Sequence, residues 1–232
     1  MITKKWVIDT FEKYKNDAPL KEGSIEAKVG SECNFKLLDG TPLTQGGAQG
    51  IDEAKLLYSV IRELKPTNII EISPWRGLTS IIMIAAIQDN NNKCIIKSYD
   101  LEDYSEVYNI KTDKITRTLF LGDVQNIIKP SDIEDCDFLY LDSAHDYNFG
   151  KWYCENVIKY LKSGTLIHVH DWIGYDSDME EMRAVREHAV STEMVKPIMN
   201  TYDEFYTTEQ KEKSNNCPSM ETPAITQVLV KI

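Results

Sequence analysis

The 232-residue chain is 42% hydrophobic, enough to bury one substantial core at the upper end of ordinary single-domain size. A formal net charge of −11, with no cluster of Lys and Arg suited to neutralising phosphates, excludes nucleic acid as the expected partner and favours small-molecule chemistry. The five cysteines (Cys33, Cys94, Cys136, Cys154, Cys217) are odd in number and scattered, and no apolar run reaches membrane-spanning length. The expectation is a soluble, cytoplasmic protein with no membrane partner, and a homo-oligomer is left open.

The first 49 residues read as irregular, with a short amphipathic helix over Trp6 to Tyr14 and a stretch closing on Gln45-Gly46-Gly47-Ala48-Gln49-Gly50. From Ile51 the residues Ala54, Leu57, Val60, Ile61 and Leu64 recur at helical spacing, which predicts an amphipathic helix stopped by Pro66. Asn68 to Ile72 predicts a strand, Ser73 to Gly77 a turn, and Leu78 to Ala86 an apolar helix. Further strands are predicted at Cys94 to Tyr99, Arg117 to Leu121, Phe138 to Leu141 and Leu166 to Val169. Helices fill the gaps, notably Trp152 to Leu161, and a helix over Met179 to Val190 and a terminal strand over Ile225 to Ile232 complete the chain. Strands separated by helical segments imply right-handed crossovers and a mostly parallel sheet covered on both faces. Ligands of such sheets bind beyond the carboxyl ends of the strands, where Ser73, Asp100, Asp123, Asp142 and Asp171 fall.

The turn Ser73-Pro74-Trp75-Arg76-Gly77 has one glycine where a dinucleotide fingerprint has three, so a pyrophosphate-binding reading loses weight. Gly77 still lets a ligand approach backbone, and Thr79 and Ser80 offer hydroxyls and N–H groups to a carboxylate. Glu71 stands inside an apolar strand, where a carboxylate is costly unless it is paired or bound to a ligand. Asp100 suits two ribose hydroxyls or a helix cap, with Glu102 and Asp103 crowding the same loop, and Asp123 suits a cap or an adenine amino group. Asp142-Ser143-Ala144-His145 ends the fourth strand and His170-Asp171 the fifth. Neighbouring strands lie about 5 Å apart, so Asp142, His170 and Asp171 can share a divalent cation or one substrate oxygen, or the acids can serve as separate helix caps; in the first case His145 can take a proton from a hydroxyl held there. His168 reads as a hydrogen-bonded core histidine and His188 as solvent-facing, while Trp75, Trp152 and Trp172 suit a pocket wall or plain packing.

The run Gly47-Ala48-Gln49-Gly50 and the segment Ile69-Ile70-Glu71-Ile72-Ser73 through Gly77-Leu78-Thr79-Ser80 resemble the opening of class I methyltransferases of the catechol O-methyltransferase type. Phe138 through Tyr147 and Leu161 through Asp171 resemble the macrocin-type sugar O-methyltransferases. The resemblance covers about residues 47 to 175 and implies a Rossmann-like α/β fold with a seven-stranded, mostly parallel sheet and helices on both faces. It also implies S-adenosylmethionine as cofactor, often a divalent cation, and a small-molecule hydroxyl acceptor such as a sugar or other polyol. By resemblance, Glu71, Ser73 and Gly77 surround the methionine part, Asp100 the ribose and Asp123 the adenine. Asp142 and Asp171 become metal ligands and His145 the general base.

Two departures stand out. Ser-Pro-Trp-Arg replaces the usual Gly-rich turn, and His170 takes the place of an acid, so a nitrogen donor would favour Mn²⁺ or another transition metal over Mg²⁺. The chain is expected to be one domain: a 1–49 extension, a 50–175 cofactor-binding core, and a 176–232 C-terminal part. A nicotinamide-dependent oxidoreductase and a non-catalytic methyltransferase-like binding module are the rival readings.

Overall fold

The computed structural model describes residues 1–19, 35–36, 42–43, 51–75, 77–103, 113–144, 146–170, 180–205 and 226–232. The main strands are β1 (Asn68–Ile72), β2 (Cys94–Asp100), β3 (Ile115–Leu121), β4 (Phe138–Leu141), β5 (Leu166–His170), β6 (Val195–Asn200) and β7 (Thr226–Lys231). Among the described residues they form a seven-stranded sheet in the order β3-β2-β1-β4-β5-β7-β6. The first five are parallel, and β7 runs antiparallel between β5 and β6. Chain order reverses direction between β1 and β4, so the carboxyl ends of these two strands flank the switch point where such sheets open a crevice. A separate antiparallel pair joins Phe35–Lys36 to Pro42–Leu43.

Side-chain alternation divides the core in two. Ile69, Phe138, Tyr140 and Leu166 face one side, under α2 (Ile51–Leu64) and α3 (Leu78–Asn90), with α1 (Lys4–Tyr14) contributing Val7 and Phe11. Ile70, Ile72, Leu139, Leu141, Ile167 and Val169 face the other, with Phe149 and Tyr153 of α6 (Tyr147–Asn156). By the same parity Glu71, Asp142, His168 and His170 belong to the α2–α3 side. That one fact decides which groups can meet at the site.

Helix α2 has the predicted bounds but is not half-exposed, since residues 53–61 are all buried. The predicted N-terminal helix explains this: α1 packs over it, and Lys13 and Tyr14 reach Glu63. Helix α3 runs on past Ala86 to Asn90 and is apolar nearly all round, as a helix enclosed by its neighbours must be. The helix expected from Trp152 instead starts at Tyr147, where Asp146 caps it by accepting the Phe149 N–H at 3.0 Å, and a 3₁₀ turn follows over Ile158–Tyr160. Between β3 and β4 the connection folds as α4 (Val124–Ile127) and α5 (Pro130–Ile133). After α7 (Glu180–Val185) come a π turn, Arg186–Val190, and later α8 (Thr201–Phe205). Strand β6 was not expected, because Pro197 weakens the pattern; at the sheet edge the proline is tolerated, and the register shifts between Pro197 and Met199.

Candidate functional site

The turn from β1 to α3 keeps the left-handed backbone of a glycine-rich loop with only one described glycine. Ser73 (φ 62°), Trp75 (φ 44°) and Gly77 (φ 82°) all have positive φ. Non-glycine residues enter this region at a cost, so other bonds must hold them. The Ser73 N–H donates to the Tyr99 carbonyl (2.8 Å), the Gly77 N–H to the Pro74 carbonyl (2.7 Å) and the Trp75 N–H to Asp100 Oδ2 (2.8 Å). The Trp75 side chain is 47% exposed, so it forms no part of the packed core. Arg76 lies outside the described residues.

Glu71 sits beneath this turn, fully buried. Its carboxylate accepts hydrogen bonds from Thr79 Oγ1 (2.7 Å), Ser80 Oγ (2.6 Å) and Ser98 Oγ (2.7 Å). Arg117 Nη2 lies 3.9 Å from Glu71 Oε2 and also donates to Ser80 Oγ at 3.0 Å. The charge that looked costly in the sequence is therefore held by three hydroxyls and a guanidinium from α3, β2 and β3, and the Thr79 hydroxyl points inward to the same network. Asp100, at the end of β2, is filled differently: besides Trp75 it accepts from the N–H groups of Leu101 (2.7 Å) and Glu102 (3.4 Å). A carboxylate offers about four acceptor positions, so it retains capacity for a ligand hydroxyl. Asp123 is exposed and caps α4 by accepting from the Gln125 N–H at 2.9 Å.

On the other side of the switch point, Asp142 follows β4 and His170 ends β5. Asp142 Oδ1 lies 3.3 Å from His170 Nδ1; the histidine side chain is 5% exposed and the aspartate 31%. Deeper in, His170 Nε2 lies 3.8 Å from Oε2 of Glu53, a fully buried carboxylate in the first turn of α2. The other oxygen of Glu53 accepts from Thr201 Oγ1 (3.1 Å), which itself accepts the Thr226 N–H (2.8 Å). Donors 3.3 Å apart are close enough to share one cation, and an oxygen with an imidazole nitrogen suits a transition metal. Among the described residues no group of three or more His, Cys, Asp or Glu side chains is arranged to hold a metal ion. Asp171, His145 and Trp172 lie outside the described residues.

His168 is buried in the core as read from the sequence, but neither ring nitrogen has a hydrogen-bond partner there. Its ring stands edge-on to Phe138 and Tyr140, and burial, with His170 nearby, lowers its pKa to about 3. His188 is not solvent-facing: it is half-buried, with Nε2 2.9 Å from the Tyr147 hydroxyl. Trp152 packs on Phe149 with ring centroids 5.4 Å apart.

Two site residues escaped the sequence reading. Glu53 lies three and four positions before Leu56 and Leu57, on a stripe the helix buries, so a charge on an apolar face was the available signal. Arg117 shares strand parity with Ile115, whose side chain joins the α2–α3 core, and its inward direction follows from that.

This order of strands, with parallel crossovers and an antiparallel final strand, is the Rossmann-like fold of class I methyltransferases. A family model of a methyltransferase domain matches residues 70–172, from β1 to just past β5. The fold is that of class I methyltransferases, and over residues 70–172 the chain is similar to a methyltransferase domain. No curated protein matches the chain. Among solved structures, the O-methyltransferase from Bacillus cereus in complex with SAH is 14% identical, with a TM-score of 0.54 over 97% of this chain and 90% of that one. The cofactor-bound Rv0187 from MTB is 12% identical, with a TM-score of 0.51 over 97% and 89%. Identities this low speak for the fold alone. No helix among the described residues is long and apolar enough to cross a membrane.

Proposed function

We propose that the chain is an S-adenosylmethionine-dependent O-methyltransferase that methylates a hydroxyl of a small molecule, a sugar or other polyol, with help from a divalent cation, Mg²⁺ or Mn²⁺. The observation that carries this reading is the division of the switch-point crevice. The turn Ser73 to Gly77 and Asp100 border one side of it, and Asp142 and His170 the other. On the first side, Ser73 and Gly77 bring backbone close to the methionine part of the donor and Asp100 accepts from its ribose hydroxyls. Glu71 and Thr79 hold the turn from beneath, and Asp123 lies toward the adenine. On the second side, Asp142, His170 and Asp171 would hold the cation, and His145 would take the proton from the acceptor hydroxyl as its oxygen bonds the methyl group and S-adenosylhomocysteine leaves. When bound, the cation supplies charge that acidifies the hydroxyl and fixes its oxygen; the protein supplies alignment.

Support comes from the methyltransferase-domain match and from the SAH bound in the Bacillus cereus enzyme. The deciding experiment is calorimetric titration with S-adenosylmethionine, followed by a screen of sugars, polyols and catechols for release of S-adenosylhomocysteine. Wild type should bind the donor and Asp100→Ala should bind it about 1–3 kcal/mol more weakly. Absence of wild-type binding defeats the reading, and methylation of only nitrogen or carbon acceptors defeats its O-methyl part.

A further inference from the structure

The two edges of the main sheet are finished differently. At β6 the edge carries Pro197 and a register shift between Pro197 and Met199, two devices that keep a further strand from pairing. Strand β3 has neither: it pairs with β2 without interruption from Cys94↔Ile115 to Asp100↔Leu121 and contains no proline. Two bonds that frame β3 fix its backbone directions. The Lys114 carbonyl accepts the Cys94 N–H (3.0 Å), and the Gly122 N–H donates to the Asp100 carbonyl (2.8 Å). Even-numbered residues therefore turn their backbone groups to β2, and Arg117, Leu119 and Leu121 turn theirs outward. Among the described residues nothing pairs with those outward N–H and C=O groups. The sheet face beside this edge is open as well. Thr116 and Thr118 are exposed, and Ile95, in register with Thr116 on β2, is 45% exposed. Helices α4 and α5, of four residues each, add Val124 and Ile133 to the core beside Tyr99 and Phe120, which leaves the amino halves of β2 and β3 uncovered.

We propose that a second copy of this chain docks on β3: two β3 strands pair antiparallel about a two-fold axis and join the two sheets into one. Charge favours this occupant. The chain carries a net charge of −11, so most faces of two copies repel, yet the stretch from Lys114 to Gly122 contains no acid. The one charged side chain within the strand, Arg117, is turned inward to Glu71 and Ser80. Antiparallel pairing sets the exposed Lys114 of each copy toward the end where the other carries its exposed Asp123. With the axis at Leu119, Arg117 lies opposite Leu121, and the outward groups of Arg117, Leu119 and Leu121 exchange N–H···O=C bonds in pairs. Thr118 then falls opposite Phe120, a β-branched and aromatic pairing that suits a sheet face. The same two-fold uses up both free edges, so the assembly closes at two copies. The dimer stands whether or not the crevice transfers a methyl group.

Two measurements on the full-length protein test this: mass in solution by analytical ultracentrifugation at micromolar concentration, and amide hydrogen exchange along β3. Wild type should sediment at twice the mass of the chain, with the amides of Arg117, Leu119 and Leu121 exchanging slowly. Thr118→Lys places two like charges diagonally across the axis at a position whose side chain is exposed. It should sediment as a monomer with an unchanged far-ultraviolet circular dichroism spectrum, and the three amides should exchange faster by roughly 10-fold or more. Thr118→Val keeps the shape without the charge and should remain a dimer. A monomeric wild type overturns the proposal, and so does a dimer in which the three amides exchange fast; neither result needs a variant to fold. A dimer that survives Thr118→Lys places the interface elsewhere. A mass that keeps rising with concentration overturns the closed two-fold.

Discussion

At the end of β1 and at the end of β5 the same sheet face buries polar groups, and it treats them in opposite ways. Glu71 is surrounded by three hydroxyls and faces Arg117, so its charge is met within 4 Å by the protein's own groups. On β5, His168 has no hydrogen-bond partner, and His170 faces Asp142 and Glu53 along a line that leads to the crevice. A buried polar group that is fully satisfied makes architecture, because its energy resides in the folded chain and a ligand can add little. Groups directed outward, or held at some cost, mark where the chain keeps capacity for chemistry. The β1 side is therefore expected to report on stability and the β4–β5 side on rate and metal.

The largest effect expected is on rate. His145→Gln should reduce turnover by roughly 10²–10⁴-fold, because proton removal belongs to the transition state. Donor affinity measured by titration should stay within experimental scatter of wild type. Turnover at the wild-type rate, once an acceptor is known, would remove the base from the β4 side.

On the β1 side the corresponding change is Glu71→Ala. It strands three hydroxyls and leaves Arg117, whose side chain is 10% exposed, without its counter-charge. Breaking such a buried pair costs about 3–5 kcal/mol, to be read from urea denaturation. A loss below 1 kcal/mol would show that water replaces the carboxylate readily, and the contrast between the two sides would fail.

How far the sequence alone reached follows the same division. Periodicity located β1, β4 and α2 to the residue, because each is an uninterrupted apolar or helical pattern with a clear stop. Pro197 hid β6, since edge strands escape the rule that bars proline from a sheet interior. Asp100, Asp142 and His170 were readable because each ends a strand in a parallel sheet. Glu53 was not, because its approach to His170 depends on α1 covering the outer side of α2 and on β5 lying below it, contacts between segments far apart in the chain.

His168 tests the costly half of the comparison. Replacing it with Leu removes two ring nitrogens that lack partners and should stabilise the protein by about 1–3 kcal/mol at pH 7. The pH dependence gives a second measure. In the folded state its pKa is lowered to about 3, while in the unfolded chain the same side chain titrates near 6.5. Between those values the unfolded state binds more protons, so wild-type stability falls with acid by about 1.4 kcal/mol per pH unit from this residue alone. The contribution is complete above pH 6.5 and is lost progressively below it. Comparing denaturation of wild type and His168→Leu from pH 7 to pH 4 isolates it. Parallel curves would mean that the ring finds a proton partner as it charges.

The smallest effect lies in the turn above Glu71 and asks whether its backbone is strained. Ser73 and Trp75 hold φ of 62° and 44° without glycine, which costs a residue bearing a Cβ roughly 1–2 kcal/mol. Glycine removes that cost but gains freedom in the unfolded chain, so Ser73→Gly should stabilise by no more than about 1 kcal/mol, or about 2–4 °C in melting temperature for a domain of this size. Trp75→Gly should behave similarly, since its side chain is 47% exposed and its N–H to Asp100 bond is kept. At Gly77, with φ 82°, the reverse change to Ala should destabilise by about 1–2 kcal/mol. The three variants together separate strain from side-chain contacts. Should Ser73→Gly melt lower than wild type while Gly77→Ala behaves as expected, the Ser73 hydroxyl contributes more than its backbone costs. The turn would then join Glu71 as satisfied architecture.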